Sequence, residues 1–280
     1  MALLASCRHG EPSSPATVAE SVVFTKSAPK IGRVSIEEST VEFQMIGEAH
    51  VKGGAVNRTK TETTEREKRR EEVLGVFDRI VTKKRATYEE LEKRELHNGT
   101  EQPRETSPLL GHAYVVALEK GSLVLGDATG RSVSDPEKKE LSRRLSGFGK
   151  PDPFLDGIPD GVVLTNQPAS GMKVGFLEMF EGAEEGPDVG NVDVRFVGAR
   201  DNAQGRCGTF AFKVAIQMAG EPRLNMDLKG EFLVRLSDSV PIQLEARGPA
   251  RLVGRVKIEG VDVQLDGSGE IRTTLKITYL

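Results

Sequence analysis

The chain has 280 residues, with 39 Lys and Arg set against 42 Asp and Glu for a net charge of −3. That near-balance gives no general pull toward nucleic acid or anionic lipid. No apolar run approaches the ~20 residues of a membrane helix, and with no Trp and three Tyr there is no material for the aromatic girdles of a transmembrane β-barrel.

In chain order, the first stretch is Met1-Ala2-Leu3-Leu4-Ala5-Ser6-Cys7. Leu4-Ala5-Ser6-Cys7 resembles the lipobox of bacterial lipoproteins, in which cleavage before the cysteine leaves its thiol to be acylated. The resemblance makes Cys7 a lipid anchor and residues 1–20 a signal remnant and flexible tether, since His9 to Thr17 is rich in Gly, Pro, Ser and Thr. Arg8 after the anchor resembles outer-membrane sorting, which implies a protein of the bacterial cell envelope facing the periplasm. If the lipobox match is accidental, the chain is cytoplasmic.

Val41, Phe43, Met45, Ala49 and Val51 share parity against Glu42, Gln44, Glu48 and His50, which predicts a strand. Residues 59–96 are dense in both charge signs. Thr59, Thr61, Thr63 and Thr64 and the run Val73 to Phe77 favour strand over a solvated helix, with both faces polar where it projects beyond the core. Asn98-Gly99 marks a turn. Tyr114 to Leu118 and Leu123 to Leu125 form a hairpin. A helix is predicted near residues 135–146, capped by Ser134 or Asp135, with Pro136 in its first turn, Leu141 and Leu145 on one face and Gly147 at its end. Residues 150–161, with Pro151, Pro153 and Pro159, read as an irregular crossover. Val174 to Met179 and Val192 to Val197 are predicted strands, separated by the acidic, Gly-rich loop 181–190.

The last stretch carries the strongest pattern. Phe210, Phe212, Val214, Ile216 and Met218 alternate with polar residues, as do Leu224, Met226, Leu228, Phe232, Val234 and Leu236. Val240, Ile242 and Leu244 follow, then Leu252, Val256 and Ile258, then the odd positions Val261 to Tyr279. Period-two alternation places one set on one side of a sheet, so residues 162–280 form a long antiparallel meander. The fold class is all-β with minor α: long curved antiparallel sheet, as partial barrel or sandwich, plus one short helix. The N-terminal β-rich half spans 21–149.

The succession of tether, charged strands, Tyr-Val-Val hairpin, short helix, Pro-rich crossover and meander resembles bacterial envelope lipoproteins of unknown function. It is similar in pattern to open-barrel lipoprotein carriers and lipocalin-like folds, which implies binding of a hydrophobic or lipid-like ligand on a curved sheet. Phe210, Phe212, Met218, Met226, Phe232 and Leu244 are the positions expected to face that ligand or to form ordinary core. The alternative is a scaffolding protein whose charged outer face meets an envelope protein partner.

Catalytic signatures are missing from the sequence. His9, His50, His97 and His112 have no zinc-site spacing, no Gly-x-Ser-x-Gly elbow occurs, and Asp152, Asp156 and Asp160 read as turn formers beside Pro and Gly. The expectation is a non-enzyme without metal, cofactor or nucleic-acid partner. Cys207 reads as a small apolar residue at a strand start.

Overall fold

The computed structural model describes residues 21–280 apart from 52, 53, 55, 105, 146, 152, 174–187, 219, 259 and 260. The tether with Cys7 and His9, the predicted strand Val174 to Met179 and most of the acidic loop lie outside the described residues.

Most of the chain enters one antiparallel sheet of eleven strands. In chain order these are β2 (Val34–Val51), β3 (Val56–Phe77), β4 (Ile80–His97), β5 (Thr100–Glu101), β6 (Ala113–Glu119), β7 (Ser122–Asp127), β9 (Asp188–Asn202), β10 (Gly205–Met218), β11 (Arg223–Arg235), β12 (Pro241–Ile258) and β13 (Val261–Tyr279). Their spatial order is β7-β6-β4-β3-β2-β13-β12-β11-β10-β9, with β5 beside β4; β7 and β9 end the order without pairing each other, so the sheet is not closed into a barrel, and residues 166–169 bond to the outer side of β9. The ladder between β13 and β2, from Val263 opposite Val51 to Tyr279 opposite Ser35, fuses the two β-rich halves into one sheet. At about 3.3 Å per residue, the 22 residues of β3 extend about 73 Å.

The alternation read from the sequence decides which residues leave water. Along β11, Leu224, Met226 and Leu228 are half-buried and Phe232 is buried, while Asn225, Asp227, Lys229 and Glu231 are exposed. This apolar face is covered at two separate places. At one end a two-stranded ribbon, β1 (Ser21–Phe24) and β8 (Gly161–Leu164), joins Ile158, Ala169 and Met172 over the phenylalanines of β9 to β11. At the other end α1 (Asp135–Arg144) sets Leu141 and Leu145 against Ala86, Tyr88, Tyr114 and Val116. The crossover expected to be irregular contains a further helical turn, α2 (Pro153–Gly157).

Parity fails at one point. Between Leu233 opposite Gln243 and Val234 opposite Pro241 the register slips, as in a β-bulge. One extra residue reverses the side to which the next side chains point. Val240 and Ile242, expected beside Leu244, therefore pack on the opposite face with Cys207 and Leu233.

The curvature depends on three glycines. A Cβ on Gly230 would lie 2.0 Å from the Glu245 carbonyl oxygen, one on Gly248 1.9 Å from that of Asp227, and one on Gly269 1.9 Å from that of Gln44. Gly230 faces Ala246, two residues before Gly248; Gly248 faces Ile271, two residues after Gly269. The glycines thus step diagonally across β11, β12 and β13 on the apolar face and let backbones meet along a crease. Gly248→Ala should cost about 3 kcal/mol or more through backbone overlap. Gly47→Ala, where nothing lies within 4 Å, should cost under about 1 kcal/mol. Urea unfolding of both variants checks this, and equal midpoints would refute the crease.

Candidate functional site

The six positions singled out from the sequence share the apolar face but not the same surroundings. Phe210 and Phe232 are directly opposite in register and stack with centroids 5.0 Å apart at 8°. Phe212 lies 6.0 Å from Phe232. All three are buried in the cluster under the ribbon, and Met226 and Leu244 are partly buried against it. Met218, at the end of β10, is 39% exposed.

One register row runs Phe196, Phe210, Phe232, Leu244, Leu275 across five strands. From Leu275 onward the face is less covered: Val41, Phe43, Ile271 and Leu275 are half-buried on β2 and β13, and none of the three core clusters includes them. Phe43 faces Ile271 directly. The sheet therefore carries a strip of accessible apolar side chains between its two covered ends. The sequence placed these residues on a common parity. It did not reveal that the strip stays open, because no periodicity states where α1 and the ribbon dock.

An open trough of about 1210 Å³ crosses the middle of six strands, from β3 to β10. Residues of both parities line it: Lys213, Lys229, Arg247 and Arg272 of the polar set, and Phe43, Phe212, Ala246 and Ile271 of the apolar set. Each cation was visible in the sequence as an outward residue; their alignment required the register.

Between the strip and α1 lies a web of ion pairs. Arg69 Nη2 donates to Glu37 Oε2 at 2.5 Å and its Nε lies 2.9 Å from Glu71, which also holds Lys84 Nζ at 2.7 Å. Burial opposes the charge on Arg69, yet Glu37, Glu71 and Glu67 outweigh it and raise its pKa. Arg144 of α1 pairs with Glu67 and Glu140. The helix start is fixed by Glu137, which accepts hydrogen bonds from Ser134 N at 2.7 Å, Arg131 Nη2 at 2.6 Å and Tyr114 Oη at 2.5 Å. Arg131 foremost holds the Glu137 carboxyl far below the ordinary carboxylate range, while burial and the bond to Glu137 push the Tyr114 phenol up.

The remaining candidates are dispersed. Cys207 is buried, its thiol pKa raised by that burial. His50 neighbours Glu48 at 3.6 Å and His97 neighbours Glu95 at 2.6 Å. Among the described residues no group of three or more His, Cys, Asp or Glu is placed to hold a metal ion. The Asp156 carbonyl and the Asp160 side chain accept from Lys26, at 2.7 and 3.4 Å.

Neither family models nor curated proteins match the sequence. Among solved structures the chain is similar to one described as "Lipid-protein interactions in lipovitellin", with 9% identity and a TM-score of 0.39 over 89% of this chain and 25% of that one. It is also similar to Ail, the attachment invasion locus protein of Yersinia pestis, with 8% identity and a TM-score of 0.12 over 87% and 99% of the two chains. The chain thus spans about a quarter of the lipovitellin chain it matches.

Two outcomes test this description. Phe210→Ala removes a fully buried, stacked ring and should cost about 3–5 kcal/mol; a loss below about 1 kcal/mol in urea unfolding would contradict the packed cluster. Glu140 is lowered from its ordinary 4.5 to about 2, first by the hydrogen bond from Arg143. A depressed carboxylate stabilises fully above about pH 4.5 and stops doing so as pH falls through its folded value. Glu140→Gln should therefore lower stability at neutral pH and match the parent near pH 2. A stability difference that stays constant across that window, followed by circular dichroism, would contradict it.

Proposed function

We propose that this chain is a non-catalytic binding protein of the bacterial cell envelope, tethered to the outer membrane through Cys7, whose curved sheet receives an acyl chain or similar amphiphile. The observation that supports this reading is the strip of Val41, Phe43, Ile271 and Leu275, half-buried and continuous with the phenylalanine row. Completing the burial of four such side chains is worth about 3–6 kcal/mol in gross terms. A bound chain adds about 0.8 kcal/mol for each methylene it buries itself. Met226, Leu244 and Met218 extend the bed, since each stands on the same parity. Flexible Met side chains suit ligands of variable shape.

Titration of the full-length protein with an environment-sensitive fluorescent fatty acid tests the ligand. Saturable binding is expected, and Phe43→Asp or Ile271→Asp should weaken it about tenfold or more by setting a charge in the bed. No saturable binding, together with no amphiphile in native mass spectra of protein extracted from cells, would overturn the reading. For the tether, Cys7→Ser should release the protein from membrane fractions; unchanged fractionation would reject the anchor.

A further inference from the structure

The two ends of the sheet are finished differently. Along β9 the chain itself occupies the outer side: Asn166 N donates to the Phe196 carbonyl at 2.7 Å, Phe196 N to that of Gln167 at 3.1 Å and Ala169 N to that of Val194 at 2.9 Å. Along β7 no strand of the described residues pairs on the outer side. The β6–β7 hairpin shows which groups stand there. Lys120 and Gly121 both have positive φ, the two-residue turn that makes Glu119 and Ser122 a hydrogen-bonded pair. Alternation then turns the backbone N–H and C=O of Ser122, Val124 and Gly126 toward β6, and those of Leu123 and Leu125 outward. Among the described residues no hydrogen bond reaches the outward groups of Leu123 or Leu125. Exposed edges are ordinarily blunted by Lys, Pro or a bulge. Ser-Leu-Val-Leu-Gly-Asp has neither residue, and its ladder to β6 runs without a register shift. Its single charge, Asp127, is engaged by Arg131 of the same chain.

We infer that β7 seats a second copy of this chain, the two strands pairing antiparallel about a two-fold axis at Val124. The strand is complementary to itself in that register. An axis perpendicular to the sheet keeps each face on its own side, so paired residues share parity. Val124 then meets its own counterpart, Leu123 meets Leu125, and Ser122 meets Gly126. The outward groups of Leu123 and Leu125 exchange N–H···O bonds with those of the second copy, while Val124 forms the closer, non-hydrogen-bonded pair. On one face Leu123 and Leu125 are only partly buried against the cluster of Tyr88, Tyr114 and Leu141. There they meet the same two leucines of the second copy, so two incomplete cores become one. On the other face Val124, 41% exposed, covers its counterpart. No like charges meet, because Asp127 comes opposite Gly121. A slip of one residue would turn the leucines of one copy to the wrong face. An unrelated peptide would have to bring this apolar alternation with it; a second copy already carries it.

Cross-linking and sedimentation test the pairing on the full-length chain. In a Cys7→Ser background the remaining thiol, Cys207, is buried. The Cα separation of a non-hydrogen-bonded pair, about 4.5 Å, lies within disulfide range. Val124→Cys should therefore form a disulfide dimer about tenfold or more faster than Val23→Cys, a control on the ribbon that is 57% exposed. A pairing six residues long is small, so the unlinked dimer should be weak and its sedimentation coefficient should rise with protein concentration. Val124→Lys sets two ammonium groups face to face and should leave a monomer, as should Val124→Glu, whereas mixing the two variants should restore a dimer with one of each. If Val124→Lys does not fold, the cross-linking comparison decides alone. A monomer at every concentration, a dimer that Val124→Lys leaves intact, or equal cross-linking at residues 124 and 23 would each overturn the inference.

Discussion

The close approach of backbones along Gly230, Gly248 and Gly269 is the constraint from which the rest of the molecule follows. A sheet of eleven strands with only ordinary twist has no means of sheltering its apolar face unaided. At these positions a side chain would occupy the space of a neighbouring carbonyl, so the bend exists only where Cβ is absent. The diagonal line keeps the bend on one face, because each step of two residues preserves parity. The result is a curved support whose ends are reached by two small covers: the β1–β8 ribbon and α1.

Those covers hold by different physics. The ribbon adds Val22, Phe24 and Val163 to a dry phenylalanine cluster, where edge and stacked ring contacts complement burial. The helix has few apolar positions, Leu141 and Leu145 chief among them, and depends in addition on charge. Arg144 reaches Glu67 and Glu140, and Glu137 satisfies the helix start while anchoring Tyr114 and Arg131. Hydrogen bonds to ionised groups are stronger than neutral ones, so a short helix with a narrow apolar stripe is still fixed. Between the two covers the apolar strip stays accessible, and that gap is what sets the proposed ligand bed.

The polar face divides by charge logic. Around β2 to β4, opposite charges meet across strand pairs such as Glu37 with Arg69, Glu38 with Lys68 and Glu72 with Arg85, each exposed pair worth a fraction of a kcal/mol. Across β10 to β13, a buried apolar face lies behind the strands and supplies stability. There Lys213, Lys229, Arg247 and Arg272 form a row of one sign, which ends in register against Asp193 and Glu42. A row of like charge persists where the core behind it offsets the repulsion.

The sequence by itself determined the fold class, the strand nature of the charged stretch 59–96, the position of α1 and the parity of the meander. All of these rest on local rules: side-chain alternation, Thr and β-branched preference, and the Ser134, Pro136 and Glu137 start signal. Leu224, Met226, Leu228 and Phe232 turn inward because period two leaves them no other side. Only the tertiary structure decided which strands are neighbours and in what register. It made one sheet of two halves through β13 and β2, sent Ile242 to the opposite face by a bulge, left Phe43 and Ile271 uncovered, and lined up Lys213, Lys229, Arg247 and Arg272. The physical reason is that register and docking are set by contacts between residues far apart in the chain, and the alternation within a strand is the same whatever stands beside it.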